Sequence, residues 1–312
     1  MSERSKSLDQ LGDVVVRGAK WSALAANIKK PKGGVIALDL ALLALDAGST
    51  VTAVFTQNAF CAAPVTVAKD TLSRRKKNQR DDAFYCLINA GNANAGTGQL
   101  GLDLAQRSCQ LLADALGCDA AQVIPFSTGV IGEPLPLAKI EAAATSLVSG
   151  LDDRQWVAAS RAIMTTDTQP KLFCREFIVD DVTITLAGIA KGAGMIKPNM
   201  ATMLSYIVTD AKVAQADLDE ALTLAVNRSF NRITVDGDTS TNDACLLAAT
   251  GRAGVTLSRE NSSWVAFQEA LNDLMIDLAT AIIRDAEGAS KFITININGG
   301  VSSEECLSVG YT

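Results

Sequence analysis

The chain has 312 residues, of which 48% are hydrophobic and 20% are charged, and its 34 acidic and 28 basic residues leave a formal charge of −6. These values predict a soluble globular protein of one large or two medium domains, and they exclude a disordered or collagen-like chain. The acidic excess argues against a nucleic-acid partner, which would require a clustered positive surface. The charge run over residues 73–82 contains both signs, so we interpret it as a solvated surface loop.

Histidine is absent from this sequence. Its absence excludes a Ser-His-Asp triad, a Cys-His dyad and an HExxH zinc helix, so any catalysis must use another base. The seven cysteines are scattered and form no CxxC pair, which predicts thiols in a reducing compartment rather than disulfides or a zinc site. No signal-peptide pattern and no long uncharged apolar stretch is found, which predicts a cytoplasmic protein without a membrane partner.

Short apolar runs alternate with amphipathic segments along the chain, as in proteins that contain both strands and helices. Runs rich in β-branched and aromatic residues predict strands over 50–56, 83–88 and 122–127, and a hairpin over 177–179 and 182–189. Apolar residues at three- and four-residue spacing predict helices over 104–116, 141–150, 154–164, 218–226 and 264–282. The alternating run 292–298 predicts a half-buried strand. Together these elements predict a layered α/β protein with mixed sheets.

Five segments are rich in glycine and small polar residues and lie next to the ends of predicted elements. They are residues 89–98, 127–136, 165–171, 188–210 and 236–243. Such positions are where α/β proteins place ligand-binding loops, although glycine-rich turns are also common for structural reasons. None of the five contains a complete dinucleotide, phosphate-loop or calcium motif. We therefore consider them candidate ligand loops without an assigned cofactor.

Thr202 stands at the head of an apolar run within the fourth of these segments. A threonine in that place could cap a helix, and the residues alone favour this interpretation. The alternative is a nucleophile. In a chain without histidine, a threonine that becomes a new N-terminus can use its own α-amine, with an unperturbed pKa of about 8, as the base.

Five stretches of the sequence resemble the motifs of the ornithine acetyltransferase family, the bifunctional glutamate N-acetyltransferases of arginine biosynthesis. They are FSTGVIGEPLP, AIMTTDTQPK, KGAGMIKPNMATML, SFNRITVDGDTSTNDA and RDAEGASKFITI, in the family's order, and the resemblance extends from Ala53 to Gly300. It implies the four-layered αββα sandwich that a class of aminopeptidases shares. It also implies an acyltransferase that moves the acetyl group of N2-acetyl-L-ornithine to L-glutamate through an acetyl-threonine intermediate.

The resemblance implies that the precursor cuts itself between Ala201 and Thr202. The products would be a larger chain, residues 1–201, and a smaller chain, residues 202–312, that together form one catalytic unit. Thr202 would then be the N-terminal nucleophile of the smaller chain.

The resemblance also implies roles for the other matching residues. Thr202 would attack the acetyl carbonyl while the Thr128 hydroxyl and the Gly129 backbone N–H stabilise the developing oxyanion. The substrate contacts would be Thr165, Lys191, Thr202 and Glu287. We expect the lysine to bind a substrate carboxylate and the glutamate to bind an amino group of ornithine.

The same resemblance implies small-molecule amino-acid substrates, no metal or required coenzyme, and a heterotetramer of two larger and two smaller chains. It leaves open whether acetyl-CoA serves as a second acetyl donor. Family members continue beyond the position of Thr312, so we expect a further substrate-contacting stretch towards the C-terminus. Two alternatives stay open: an amidase or aminopeptidase with the same N-terminal nucleophile, and an inactive truncated product.

Overall fold

The computed structural model describes residues 14–31, 34, 36–196 and 203–312. Their strands, in chain order, are β1 (Ala19–Leu24), β2 (Leu40–Leu45), β3 (Thr50–Phe55), β4 (Phe84–Asn92), β5 (Val123–Val130), β6 (Lys171–Val179), β7 (Val182–Lys191), β8 (Leu204–Thr209), β9 (Lys212–Val213), β10 (Ala244–Ala249) and β11 (Thr256–Leu257). Their helices are α1 (Ala63–Lys77), α2 (Gly98–Leu116), α3 (Leu137–Ser149), α4 (Trp156–Ala162), α5 (Gln215–Arg228), α6 (Ser263–Arg284) and α7 (Ser303–Gly310). Among these residues, no helix is long and apolar enough to cross a bilayer.

Two mixed sheets organise the molecule. The first has the strand order β1-β2-β4-β5, in which only β4 and β5 are parallel. The second has the order β3-β10-β8-β7-β6, in which only β10 and β8 are parallel. A small additional pair joins β9 and β11.

The sheets and helices form four layers. On the outer face of the first sheet, Leu42 packs in a cluster with Leu112 of α2. Tyr206 of β8 lies in the core between the two sheets, and the next residue, Ile207, points to the opposite face and packs with Leu274 of α6. All six residues of β8 and all six of β10 are buried, and the sequence of β10 is continuously apolar, as is typical of a strand covered on both faces. The predicted αββα layered sandwich with mixed sheets is therefore confirmed.

The predicted strands and helices of the first 284 residues are found, with shifted ends. The predicted hairpin is β6–β7, whose turn residues Asp180 and Asp181 have φ of 49° and 62°. Two strands are longer than predicted, because the parallel pairing of β4 and β5 continues through Asn89–Ser127 and Gly91–Gly129. Several polar residues expected in loops therefore lie at the ends of strands.

Two predictions about local structure are wrong. Residues 292–298 form no strand with any described residue, and Ile293 and Ile295 are 74% and 69% exposed. Alternation specifies which side chains share a face, but a strand also needs a neighbouring strand edge for its backbone hydrogen bonds.

The charge run over 73–82 is likewise more ordered than a solvated loop. Its first residues form the last turns of α1, and Arg75 is buried. The Arg75 guanidinium donates at 2.6 Å to Oδ1 and to the backbone oxygen of Asp82, and lies 4.8 Å from the Phe84 ring centroid. A buried charge is tolerated when it is paired in this way.

Candidate active site

A cleft of about 1280 Å³ collects residues from all five polar segments of the sequence. Each segment contributes at least one lining residue: Gly91, Thr128, Thr165, Lys191 and Asp236. The segments are distant in sequence, yet the ends of β4, β5 and β7 bring them to one edge of the sandwich. Gly129 and Glu287 line the same cleft, so every predicted site residue that the structure describes is found there.

Thr128 and Lys191 meet inside this cleft. Both side chains are buried, and the Lys191 Nζ donates a 3.3 Å hydrogen bond to the Thr128 Oγ1. The end of β5 is held in place by Asn242, whose Nδ2 donates to the backbone oxygens of Ser127 at 2.9 Å and Ala93 at 2.7 Å. The polar groups at the end of β5 are therefore preorganised by other protein groups.

Gly129 has a backbone conformation and an environment that only glycine fits. Its φ is 132°, and a Cβ on it would lie 2.4 Å from the carbonyl carbon of Gly91 and 2.6 Å from the backbone nitrogen of Asn92. These are backbone atoms of the paired strand β4, so they cannot move aside without separating the two strands.

We expect Gly129→Ala to lower the free energy of unfolding by about 2–6 kcal/mol, because backbone strain of about 1–3 kcal/mol adds to overpacking of about 1–3 kcal/mol. Gly132→Ala is the matched control: its φ of 85° is also positive, but a Cβ there meets no atom within 4 Å. The control should cost only about 1–2 kcal/mol. Urea denaturation measures both, and equal losses would contradict the assigned clash.

A buried ion network fixes the loop before β6. Lys171 Nζ lies 2.7 Å from Asp167 Oδ1 and 2.6 Å from Asp285 Oδ2. Asp167 also accepts hydrogen bonds from the backbone N–H of Gly192 at 2.7 Å and of Thr165 at 3.0 Å. The network therefore connects Thr165, the end of β7 and the end of α6.

The charges in the cleft shift one another's pKa. Burial opposes the ionisation of Asp167, but the ammonium groups of Lys191 and Lys171, together with the hydrogen bonds, lower its pKa to about 2. Burial lowers the pKa of Lys191, and the carboxylates of Asp167, Asp243 and Glu287 oppose that shift. Asp167 is consequently ionised at neutral pH, and its negative charge favours the protonated form of Lys191.

Glu287 reaches the cleft from the segment after α6. Its backbone N–H donates to the Ala193 oxygen at 2.7 Å. Its carboxylate packs on Gly194, where a Cβ would lie 2.9 Å from Glu287 Oε1. Glycine at 194 thus allows the carboxylate to lie against the chain that follows Lys191.

The predicted nucleophile and cleavage site, Thr202 and Ala201, lie outside the described residues. The residue after Thr202 is described: the Met203 backbone N–H donates to Asp243 Oδ1 at 2.9 Å. Asp243 is buried, and its Oδ2 has no hydrogen-bond partner among the described residues. Burial raises its pKa well above the usual range of an aspartate.

Sequence reasoning missed two residues: Lys29, which lines the cleft, and Asp243, which accepts a hydrogen bond from the residue after the proposed nucleophile. Asp243 ends the polar segment 236–243 and lies within the motif SFNRITVDGDTSTNDA, but the resemblance implied no role for it. Lys29 lines the cleft from the loop between β1 and β2. Its sequence signal is a basic turn of lysines with proline and glycine between two apolar runs, starting at Lys29.

This fold, with a polar cleft where β5 and β7 end, places the protein in the class of layered αββα sandwiches. A β-aminopeptidase from Burkholderia has the same fold, with a TM-score of 0.52 and 10% identity over 90% of this chain and 89% of that one. The chain belongs to the ArgJ family, whose model matches residues 20–312. The resemblance found in the sequence motifs is therefore confirmed.

Relatives of known name agree with this assignment. The arginine biosynthesis bifunctional protein ArgJ of Pseudomonas fluorescens is 50% identical over 299 residues, covering 95% of this chain and 71% of that protein. The protein of the same name from Methylococcus capsulatus is 47% identical and covers 100% and 74%. The crystal structure of the Bacillus halodurans ArgJ protein matches 65% of this chain and 100% of its own, with 27% identity and a TM-score of 0.52.

Proposed function

We propose that this protein transfers the acetyl group of N2-acetylornithine to glutamate in arginine biosynthesis, giving ornithine and N-acetylglutamate. The observation that carries the proposal is one cleft, in a chain of the ArgJ family, that joins a hydroxyl (Thr128), a buried cation (Lys191) and a carboxylate (Glu287). The cation suits the α-carboxylate of an amino-acid substrate, and the carboxylate suits the ornithine ammonium. Thr165 lines the cleft and is a further proposed substrate contact.

The proposed nucleophile is Thr202, freed by cleavage after Ala201 to become the first residue of the chain 202–312. Its α-amine accepts the proton of its own Oγ as the base, so the route requires no metal or coenzyme. The hydrogen bond from Met203 to Asp243 supports this arrangement, because it anchors the chain one residue after the nucleophile.

In the proposed first half-reaction, Thr202 Oγ bonds to the acetyl carbon, the bond to the ornithine nitrogen breaks, and the proton passes from the α-amine to that nitrogen. Thr128 and Gly129 donate hydrogen bonds to the oxyanion. Since Lys191 donates to the Thr128 Oγ1, the Thr128 hydroxyl proton is left for the oxyanion. In the second half-reaction, the glutamate α-amine bonds to the acetyl carbon, the bond from that carbon to Thr202 Oγ breaks, and the proton lost by the glutamate amine passes through the Thr202 α-amine to Oγ.

We also propose that the enzyme is cytoplasmic and that it assembles from two larger and two smaller chains, and we consider acetyl-CoA a candidate second acetyl donor. The word bifunctional in the relatives' name supports a second activity. Release of free CoA from acetyl-CoA, dependent on glutamate, tests the second donor, and mass measurement of the native assembly tests the tetramer.

The kinetics test the proposed transfer directly. If the acetyl group rests on Thr202 while ornithine leaves and glutamate enters, double-reciprocal plots against N2-acetylornithine at several glutamate concentrations should be parallel. Without glutamate, mass spectrometry should find one acetyl group on the fragment 202–312. Intersecting lines would indicate a ternary complex instead, and rapid acetate release unaffected by glutamate would indicate a hydrolase.

A further inference from the structure

Lys29 lines the cleft, and its ammonium group has no ion-pair partner among the described residues. Its Nζ donates to the backbone oxygens of Leu38 at 2.7 Å and Ala162 at 3.4 Å. Both acceptors are neutral carbonyls, and no described residue accepts the third N–H. Lys171, in contrast, has two carboxylates within 3 Å.

The Lys29 backbone is fixed from two sides. Its N–H donates to Asp39 Oδ2 at 2.9 Å, and Asp39 Oδ1 accepts from the Ala26 N–H at 2.6 Å. A Cβ on Gly91 would lie 2.9 Å from the Lys29 nitrogen and 3.0 Å from its Cγ, so the base of the lysine packs directly on Gly91. Gly91 in turn packs on Gly129. Lys29 therefore stands on the same wall of the cleft as the proposed oxyanion site.

Burial and the charged groups that face Lys29 together set its pKa close to neutral pH. Burial lowers the pKa of Lys29 to about 8; the carboxylates of Asp39 and Asp167 raise it, and the ammonium of Lys191 lowers it. A bound anion would favour the protonated form. Lys30 and Arg161 also line the cleft, but both are exposed, where an ion pair contributes little.

A comparison of the charged groups on the two proposed substrates shows which substrate carboxylate has no assigned cation in the cleft. N2-acetylornithine and glutamate share an α-carboxylate and an α-nitrogen, and they differ at the end of the side chain, which is an ammonium in one and a carboxylate in the other. Lys191 and Glu287 account for the charges of the donor. They leave the side-chain carboxylate of the acceptor without a cation.

We propose that Lys29 binds the side-chain carboxylate of the glutamate acceptor. The proposal rests on the transfer reaction proposed above, and it assigns the selection of an acidic acceptor to one residue. The donor, which has no second carboxylate, does not need this contact.

The test compares glutamate with glutamine, its neutral analogue, in wild type and in Lys29→Met, which retains the length of the side chain and removes the charge. Wild type should prefer glutamate. The variant should lose about 10- to 100-fold in kcat/KM for glutamate, the effect of a charge-assisted hydrogen bond, and should change little with glutamine. Ornithine release from N2-acetylornithine without acceptor should be unchanged. Lys20→Met, on an exposed position of β1, is the matched control and should behave as wild type.

Calorimetry measures the binding of glutamate and glutamine to the same proteins without turnover, so it tests the proposed carboxylate site independently of the transfer reaction. Equal losses for both acceptors, or a loss of the ornithine-release step, would overturn the assignment. If wild type releases no ornithine but binds glutamate more tightly than glutamine, and only Lys29→Met removes the difference, the transfer reaction fails and the carboxylate site stands. Wild-type binding that does not distinguish the two amino acids would refute the site.

Discussion

Thr202→Ala is expected to leave the chain uncut and to lower kcat/KM for acetyl transfer by at least about 10⁴-fold. Loss of a hydroxyl nucleophile has cost about 10⁶-fold in kcat in another acyl-transfer enzyme, because no other group forms the covalent intermediate. Cleavage and transfer should be lost together, since the same Oγ performs both attacks. Intact-mass measurement reports the cleavage, and ornithine release reports the transfer.

Two variants test whether this effect is specific to the nucleophile. Thr202→Ser retains a hydroxyl and should keep part of both activities. Thr223→Ala removes the same atoms from an exposed threonine of α5 and should cleave and turn over normally. Normal turnover in the alanine variant at position 202 would mean that the nucleophile lies elsewhere.

Lys171→Met is expected to lower the free energy of unfolding by about 3–5 kcal/mol, the cost of leaving a buried charge without its partner. The variant leaves two carboxylates, Asp167 and Asp285, with no ammonium at 2.7 and 2.6 Å. Lys76→Met is the control, because it breaks an exposed pair with Asp219 and should cost less than about 1 kcal/mol. Urea denaturation at neutral pH measures both, and similar losses would contradict the assigned role of burial.

The pH dependence of stability gives a second readout of the same network. The pKa of Asp167 is lowered to about 2 in the folded protein, whereas an unfolded aspartate titrates near 4. The stabilisation by this ionised carboxylate is therefore complete above about pH 4 and is lost as the pH falls towards about 2. Lys171→Met should show a smaller loss in this window, because one of the charges that lowers the pKa is gone. An unchanged slope would show that Lys171 does not stabilise the anion.

Local sequence patterns determined much of the secondary structure and the family assignment of this protein. Apolar spacing predicted α2, α5 and α6, because a helix is specified by contacts within a few residues, and the αL residue Gly117 ends α2 as the pattern indicates. The motifs identified the family and named five residues that line one cleft; the roles of these residues, like those of Thr202 and Ala201, stay predictions. The absence of histidine from the printed sequence predicted, without any structure, that another group acts as the base.

Only the tertiary structure decided which distant groups meet. Lys171 and Asp285 are 114 positions apart, and no local rule pairs them. Among the described residues, Lys29 has no ion-pair partner and Asp243 Oδ2 has no hydrogen-bond partner, and both facts are properties of the folded environment. The strand prediction for the alternating segment 292–298 was wrong because the fold places no neighbouring strand edge, among the described residues, beside it. A sequence pattern specifies faces and local turns, whereas ion pairs, strand partners and shifted pKa values depend on what the rest of the chain places beside them.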